Sequence, residues 1–289
     1  MKIQNIIPSV NYHLWEPCNM RCKFCFATFQ DVKRTVLPKG HLPKEKSLEL
    51  IEMLAKAGFQ KITFAGGEPT LCPWLSELIA LAKNLGMTTM IVTNGTGLSE
   101  KFLAENQENL DWIALSIDSL SDNTNLQIGR AIVGKRVCSK LAYFELIEQI
   151  KQLGYRLKIN TVACQSNWQE NLSELIEFAK PERWKILQVL PIEGQNSGKV
   201  EPFLISGSQF ESFVERHAHL GKTLEIVPES NEQIKDSYVM IDPAGRFFGN
   251  SGRQYEYSQP ILNCGVELAY RSMNYSNNKF EERKGFYEW

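Results

Sequence analysis

From residue 10 to residue 190 the chain alternates strand-like and helix-like segments, and that rhythm admits few folds. The strand patterns are Val10–Trp15, Lys61–Ala65, Thr89–Thr93, Trp112–Ile117, Arg156–Val162 and Lys185–Leu190, each rich in β-branched and aromatic residues. Between them run helical patterns at Lys44–Ala57, Pro73–Leu85, Ser99–Glu105, Ser139–Leu153 and Gln169–Ala179. In the first of these Leu48, Ile51, Leu54 and Ala55 share one face, and Gly58 supplies the stop. Strand–helix–strand units build parallel sheets with right-handed crossovers, so six of them predict an α/β protein formed as a partial (β/α)6 barrel. After Leu190 the pattern changes to Gly, Ser and Pro clusters. A helix near Ser208–His219 follows, then a short strand at Leu224–Val227 and a hairpin, Tyr238–Ile241 with Arg246–Phe248, across Asp242-Pro243-Ala244-Gly245. No linker separates the two parts, so residues 192–289 are expected to be a C-terminal α+β extension packed on a core of residues 1–191.

Parallel strands covered by helices should read as nearly continuous apolar runs. Several of these do not. In Arg156–Val162 the period of two sets Leu157 and Ile159 on one face and Lys158 and Asn160 on the other. In the fourth strand Leu115 and Ile117 alternate with Ala114, Ser116 and Asp118; the second strand opens on Lys61, and the sixth is preceded by Arg183 and opens on Lys185. If the apolar faces meet the helices, the polar faces line the barrel interior. A buried lysine without a partner finds an anion or gives up its proton. Taken singly, Lys61, Arg183 and Lys185 could also be strand starts that snorkel into solvent. Together with Lys158 they suggest a site for a triphosphate-sized anion. No G-x4-G-K-[ST] loop is present to hold one in the usual way.

Three cysteines, Cys18, Cys22 and Cys25, stand in a C-x3-C-x2-C run directly after the first strand. A four-iron cube usually takes four thiolates. Three from one loop therefore leave an iron open for a ligand that is not protein. A structural zinc site would want a fourth ligand, commonly from a second cysteine pair, and none is present; His13 is the nearest substitute. Cys72, Cys138, Cys164 and Cys264 are scattered and read as ordinary buried thiols. Gly66-Gly67-Glu68-Pro69 follows the second strand and Thr93-Asn94-Gly95 ends the third. Those are the carboxyl ends of barrel strands, where sites of this architecture gather. Glycines there allow a ligand close to the backbone, and the Glu68 carboxylate can accept from an ammonium group.

Composition narrows the setting. The chain has 289 residues, a formal net charge of −1 and seven cysteines, with no run approaching the ~20 apolar residues of a membrane span. It reads as a cytoplasmic globular protein with free thiols. Nothing global points to nucleic acid or a membrane surface, so any polyanion must be met by locally placed cations.

The cysteine run, the Gly-Gly-Glu-Pro segment and the six-unit barrel together resemble the radical S-adenosylmethionine (SAM) superfamily. Further segments, including Asn11-Tyr12-His13, Ile128-Gly129-Arg130, Lys158-Ile159-Asn160, Arg183-Trp184-Lys185 and Val227-Pro228-Glu229-Ser230-Asn231, resemble its viperin family over nearly the whole chain. The resemblance implies that Cys18, Cys22 and Cys25 hold a [4Fe–4S] cluster and that Gly66, Gly67, Glu68, Asn94, Ser116 and Phe24 hold SAM. It implies that a 5′-deoxyadenosyl radical takes the ribose 4′ hydrogen of a nucleoside triphosphate. The 3′ hydroxyl is then lost, giving a chain-terminating antiviral 3′-deoxy-3′,4′-didehydro nucleotide, with CTP favoured over UTP or GTP. Lys61, Lys158, Asn160, Arg183 and Lys185 would bind the triphosphate with Arg130 nearby, Asn11 would place the substrate, and Tyr238 would donate the final hydrogen. Residues 192–289 would cover the substrate site. An external one-electron reductant is implied, and the aromatic end Phe286-Tyr287-Glu288-Trp289 would meet iron–sulfur assembly machinery or fold over nucleotide, or else simply dock on the core. Two other readings stand beside this one: a radical SAM enzyme for a peptide or pterin-like substrate, and a non-catalytic iron–sulfur sensor.

Overall fold

A computed structural model describes residues 2–37 and 39–289. One ten-stranded sheet organises them. Its central strands are β1 (Ser9–Trp15), β2 (Lys61–Gly66), β3 (Thr88–Thr93), β4 (Trp112–Ser116), β5 (Arg156–Ala163) and β6 (Arg183–Gln188), each parallel to the next in sequence order. The crossover helices are α1 (Lys44–Ala57), α2 (Leu75–Asn84), α3 (Glu100–Asn106), α4 (Asp122–Ile128), α5 (Lys140–Gln152) and α6 (Ser173–Ala179). The six expected strands and five expected helices are all present, within a few residues at their ends.

The segment after residue 191 joins this sheet at both edges. Following α7 (Gly207–Arg216), β7 (Glu225–Glu229) pairs parallel with β6. After the short α8 (Asn231–Ile234), β8 (Val239–Ile241) returns to the far edge and pairs parallel with β1, carrying the antiparallel β9 (Arg246–Gly249) and β10 (Glu256–Pro260) outward. The sheet is an open, partial barrel running β10-β9-β8-β1-β2-β3-β4-β5-β6-β7. Short helices α9 (Ile261–Cys264), α10 (Val266–Arg271) and α11 (Asn277–Glu282) complete the chain.

The period of two separates two interiors. Val10, Tyr12, Ile62, Phe64, Ile113, Leu115, Leu157, Ile159, Trp184 and Ile186 face outward into the core formed with the helices. Their alternates, Asn11, His13, Lys61, Thr63, Ser116, Lys158, Asn160, Arg183 and Lys185, line an interior cavity. Helix α4 has no apolar stripe; its buried residues include Thr124 and Asn125, and Ser121 caps its start while Gly129 ends it at φ +79°. That is why the apolar periodicity does not reveal it.

Candidate active site

Because the central strands run parallel, every loop that follows a strand leaves from the same rim. The cysteine loop after β1, Gly66–Glu68 after β2, Asn94 after β3 and Asp118 after β4 all line the cavity there. Lys61 and Arg183 begin their strands and so lie toward the other end. Five residue steps separate Lys61 from Gly66, roughly 16 Å of strand.

At the rim, the thiols of Cys18, Cys22 and Cys25 border the cavity, and burial pushes Cys18 up to about 11 and Cys25 up to about 12. Among the described residues no three His, Cys, Asp or Glu side chains gather on one ion-sized point. The loop carries all three thiols to this cavity, where each would take a different iron of a cube. His13 does not join it. The ring lies edge-on to Phe26, Phe29 and Phe248 at centroid distances of 6.1, 5.3 and 5.5 Å, and burial lowers its pKa to about 4. Phe24 is buried beside the loop, its carbonyl accepting from Asn196 Nδ2 at 3.0 Å.

The glycines after β2 serve the chain more than a ligand. A Cβ on Gly66 would sit 2.3 Å from the Trp15 carbonyl oxygen, and one on Gly67 would sit 2.2 and 2.4 Å from the carbonyl oxygens of Glu16 and Pro17. Gly66 also holds φ +153°. The close approach they permit is that of the strand entering the cysteine loop. Glu68 N donates to Pro17 O at 2.9 Å and locks the two loops together.

Glu68 is 1% exposed. Its carboxylate accepts from Thr70 N and Oγ1 (3.1 and 2.6 Å), Thr93 Oγ1 (2.7 Å) and Asn94 N (2.9 Å). No cation pairs with it among the described residues, and burial raises its pKa. An ammonium group in the cavity would supply the missing charge. Asn94 uses its side chain on Asn19 and Thr96, so it clamps the cysteine loop to the loop after β3. Asn19 and Thr96 are the parts of this clamp that the sequence patterns did not single out.

Arg130 lines the same cavity from its rim. It forms a buried ion pair with Asp118 and donates to the Ser116 carbonyl at 3.2 Å, and Asp118 in turn accepts from Val162 N at 2.8 Å. Its field is felt by Cys22, Cys18 and Cys25, not by the interior lysines. The guanidinium is neutralised at the rim and is not part of the lower cation cluster. Gly129, just before it, touches the cysteine loop so closely that a Cβ would meet the Arg21 carbonyl oxygen at 2.2 Å.

The lower end is strongly cationic. Lys61, Lys158, Arg183 and Lys185 are 3%, 8%, 3% and 6% exposed, so none snorkels to solvent. Arg283, from the loop after α11, joins them, its guanidinium 3.6 Å above the Tyr238 ring. Lys185 Nζ pairs with Glu229 Oε1 at 2.5 Å and donates to Tyr238 Oη at 2.5 Å, while Tyr238 Oη donates to Glu229. Arg183 pairs with Glu225 and donates to the Lys284 carbonyl at 2.9 Å. Lys158 has no ion pair or hydrogen bond among the described residues, and Asn160 Oδ1 is buried without a partner. Five cations therefore face two carboxylates. Burial and the fields of Lys185 and Lys61 depress Lys158 well below the ordinary lysine value; burial takes Lys185 to about 8 despite Glu229. Glu229 and Arg283 belong to the site although neither was singled out; Glu229 stood only within the Val227–Asn231 segment that carries the resemblance.

The aromatic end of the chain docks inward under this cluster. Lys61 Nζ donates to Tyr287 Oη and lies 5.0 Å from the Trp289 ring, and the Arg183 guanidinium stacks 3.9 Å from the Tyr287 ring. Phe286 remains half-exposed at 53%. No helix among the described residues is long and apolar enough to cross a membrane. Of the scattered cysteines, Cys72 and Cys164 are buried, whereas Cys138 and Cys264 are half-buried.

Residues 14–179 match the Radical SAM superfamily, which places the fold and the rim in that class. An S-adenosylmethionine-dependent nucleotide dehydratase of Flammeovirga pacifica is 56% identical over 285 residues, covering 99% of this chain and 97% of that one. One of the same description from Lacinutrix mariniflava is 58% identical over 284 residues, and this chain spans 59% of its length. The S-adenosylmethionine-dependent nucleotide dehydratase RSAD2 of Oncorhynchus mykiss is 35% identical over 291 residues, 97% of this chain and 80% of that one. The chain belongs to the viperin family of radical SAM nucleotide dehydratases. Among solved structures, native anSMEcpe with bound AdoMet and Kp18Cys peptide matches at TM-score 0.69 and 14% identity, over 95% of this chain and 82% of that one. Streptococcus suis SuiB bound to precursor peptide SuiA matches at 0.67 and 16%, over 96% and 67%. At such identities they share the fold alone. The superfamily uses a [4Fe–4S] cluster and SAM, and the rim fits both: three cavity-lining thiols, and a buried carboxylate lacking a cation.

Proposed function

We propose that this chain dehydrates the ribose of a nucleoside triphosphate, with CTP as the favoured substrate, giving the 3′-deoxy-3′,4′-didehydro nucleotide that terminates nucleic-acid chains in antiviral defence. The observation that carries this reading is the surplus of buried cations at the lower end of the cavity. Five cationic side chains with two carboxylates are relieved either by giving up protons, the direction in which Lys61 and Lys158 are pushed, or by an anion of several charges that completes them, and this reading takes the second. The relatives' description as nucleotide dehydratases supports the same substrate class.

In this reading Cys18, Cys22 and Cys25 hold the cluster, and the rim of Gly66, Gly67, Glu68, Asn94, Ser116 and Phe24 holds SAM. When bound, the two supply a 5′-deoxyadenosyl radical at the upper end of the cavity. The protein's part is to orient and to seal. Lys61, Lys158, Arg183 and Lys185 grip the triphosphate, and Asn160, whose buried Oδ1 lacks a donor, accepts from a hydroxyl or amide of the ligand. Asn11, on the cavity face of β1 between the two ends, places the sugar. The phosphates at one end and the rim at the other hold the ribose in the middle, where its 4′ hydrogen faces upward.

Tyr238 is the expected donor of the last hydrogen. Its hydroxyl donates to Glu229 and accepts from Lys185, which hold it at the cavity. In donating, it would give one electron to the nucleotide left after the 3′ hydroxyl departs and its phenolic proton to that hydroxyl as water, and the external reductant would restore the tyrosyl radical so formed. Residues 192–289 act as the cover: Tyr238, Arg283 and Tyr287 all reach the cavity from that segment. The test is anaerobic incubation of reconstituted protein with dithionite, SAM and each of the four triphosphates. One nucleotide should raise 5′-deoxyadenosine formation and yield a product lighter by one water. No rise with any of them would exclude the substrate class; a rise with a peptide instead would favour the other radical SAM reading.

A further inference from the structure

The outer wall over the cysteine loop has a charge pattern that binding of SAM and nucleotide does not use. The loop is strapped to the hairpin that follows Arg130. Arg21 N and Lys23 N donate to the carbonyls of Gly129 and Ile128 (3.1 and 2.9 Å), Val133 N donates to Asn19 O at 2.8 Å, and Met20 bridges Ile132. Arg21, Lys23, Lys135 and Arg136 are exposed on these strapped segments. None of the four forms an ion pair among the described residues. Arg34, exposed on the helical turn that follows the loop, extends the charge. Of the neighbouring acids, Glu16 offsets the exposed Lys33 at 3.9 Å and Asp31 is committed to Arg246 at 3.1 Å. For a chain of net charge −1 this is a concentrated positive field.

On the same hairpin stands Val133, 69% exposed and two residues before Lys135. It holds φ +52°, a left-handed conformation that a β-branched residue seldom adopts. An exposed apolar residue on segments that carry cations without ion pairs suits a transient protein contact, which combines a small apolar area with a charged rim.

We propose that this face docks an acidic one-electron carrier protein, of the flavodoxin or ferredoxin kind, beside the loop that carries the cysteines. The inference rests on the reading of Cys18, Cys22 and Cys25 as cluster ligands. One electron leaves the carrier, which is oxidised, and enters the cluster, which is reduced; no proton or bond changes hands at the surface. Electron transfer weakens steeply with distance, and Arg21 and Lys23 are part of the loop that carries the ligands. The tail lies at the opposite end of the barrel beneath Lys61, so it does not cover this face.

The test uses the reconstituted full chain and its Lys135→Glu/Arg136→Glu variant, neither position touching the cavity. Stopped-flow absorbance follows cluster reduction by a purified acidic flavodoxin hydroquinone, and titration calorimetry follows flavodoxin binding to the cluster-free chain. The variant should show a second-order rate at least ~10-fold lower at low salt, with matching loss of binding and convergence with wild type at high salt. Its turnover with excess dithionite should equal that of wild type. Equal flavodoxin rates for both proteins would overturn the docking face while leaving the active-site reading intact. A variant that is reduced normally but is purified from cells with less iron would also overturn it, assigning the face to an assembly protein. If wild type takes up no cluster at all, the reading of the cysteines fails and the proposal with it.

Discussion

Lys158 offers opposite effects on stability and on binding from one substitution. It sits in β5 with Lys185 and Lys61 as its nearest charged influences, and no anion or hydrogen-bond acceptor meets its ammonium among the described residues. Lys158→Met keeps most of the stem and removes the charge. Burial pushes the Lys158 pKa down, so the fold bears either an uncompensated ammonium or the cost of giving up its proton; an apolar side chain of similar size removes that cost, roughly 1–4 kcal/mol on the scale of buried ion pairs replaced by apolar groups. For a chain of this length that is a rise in melting temperature of about 2–8 °C, taking roughly 2 °C per kcal/mol. The same change removes a charge-assisted bond to a phosphate, about 2 kcal/mol or more, which is roughly a 30-fold weaker triphosphate Kd. The assay is thermal unfolding of the cluster-free protein with and without CTP, together with calorimetric titration of CTP. The variant should melt higher than wild type without nucleotide and gain less from its addition. A variant that melts lower than wild type and binds CTP equally would refute the reasoning, because Lys158 would then have a partner within the fold and none in the ligand.

Gly67→Ala should fold its sheet yet hold cluster poorly, since the added Cβ meets two backbone carbonyls at 2.2 and 2.4 Å and forces the cysteine loop away; iron and sulfide content after anaerobic reconstitution measures it. Triphosphate affinity should fall as pH rises through about 8, where Lys185 loses its proton. Nucleotide binding near that pH should be accompanied by proton uptake, read from calorimetry in buffers of different ionisation enthalpy. The same depressed pKa has a stability consequence. The unfolded chain keeps the Lys185 proton up to about 10.4, so the unliganded fold should gain stability between pH 8 and that value, measured by urea unfolding at intervals across the window. Tyr238→Phe removes the hydroxyl held between Lys185 and Glu229. It should leave SAM cleavage running while the yield of dehydrated nucleotide per 5′-deoxyadenosine drops several-fold; an unchanged ratio would remove Tyr238 from the role of donor.

Much of the fold and half of the site could be read from local pattern. The strand and helix boundaries follow from apolar periodicity and glycine stops, properties of a few consecutive residues. The same period of two assigned Lys158 and Asn160 to the cavity face of β5 and separated them from Leu157 and Ile159 in the outer core. The cysteine spacing located the rim. Helix α4 escaped because its buried face is built from Thr124, Asn125 and Ile128, of which only Ile128 is apolar, too little for a periodic signal.

Partners were a different matter. Arg130 and Lys158 are both buried cations near the cavity, and nothing in their neighbouring residues says that one is neutralised and the other is not. Asp118 meets Arg130 because α4 folds back toward the end of β4, and Glu229 meets Lys185 because β7 lies beside β6. Likewise the demand for glycine at 66 and 67 comes from the backbone of residues 15–17 crossing them, and the docking of Tyr287 on Lys61 joins residues 226 apart. Side-chain direction is settled by backbone geometry within a strand, so the sequence by itself determined which residues look inward. Charge balance is a through-space sum over neighbours brought from distant parts of the chain, so only the tertiary structure decided which inward cations are left over for a ligand.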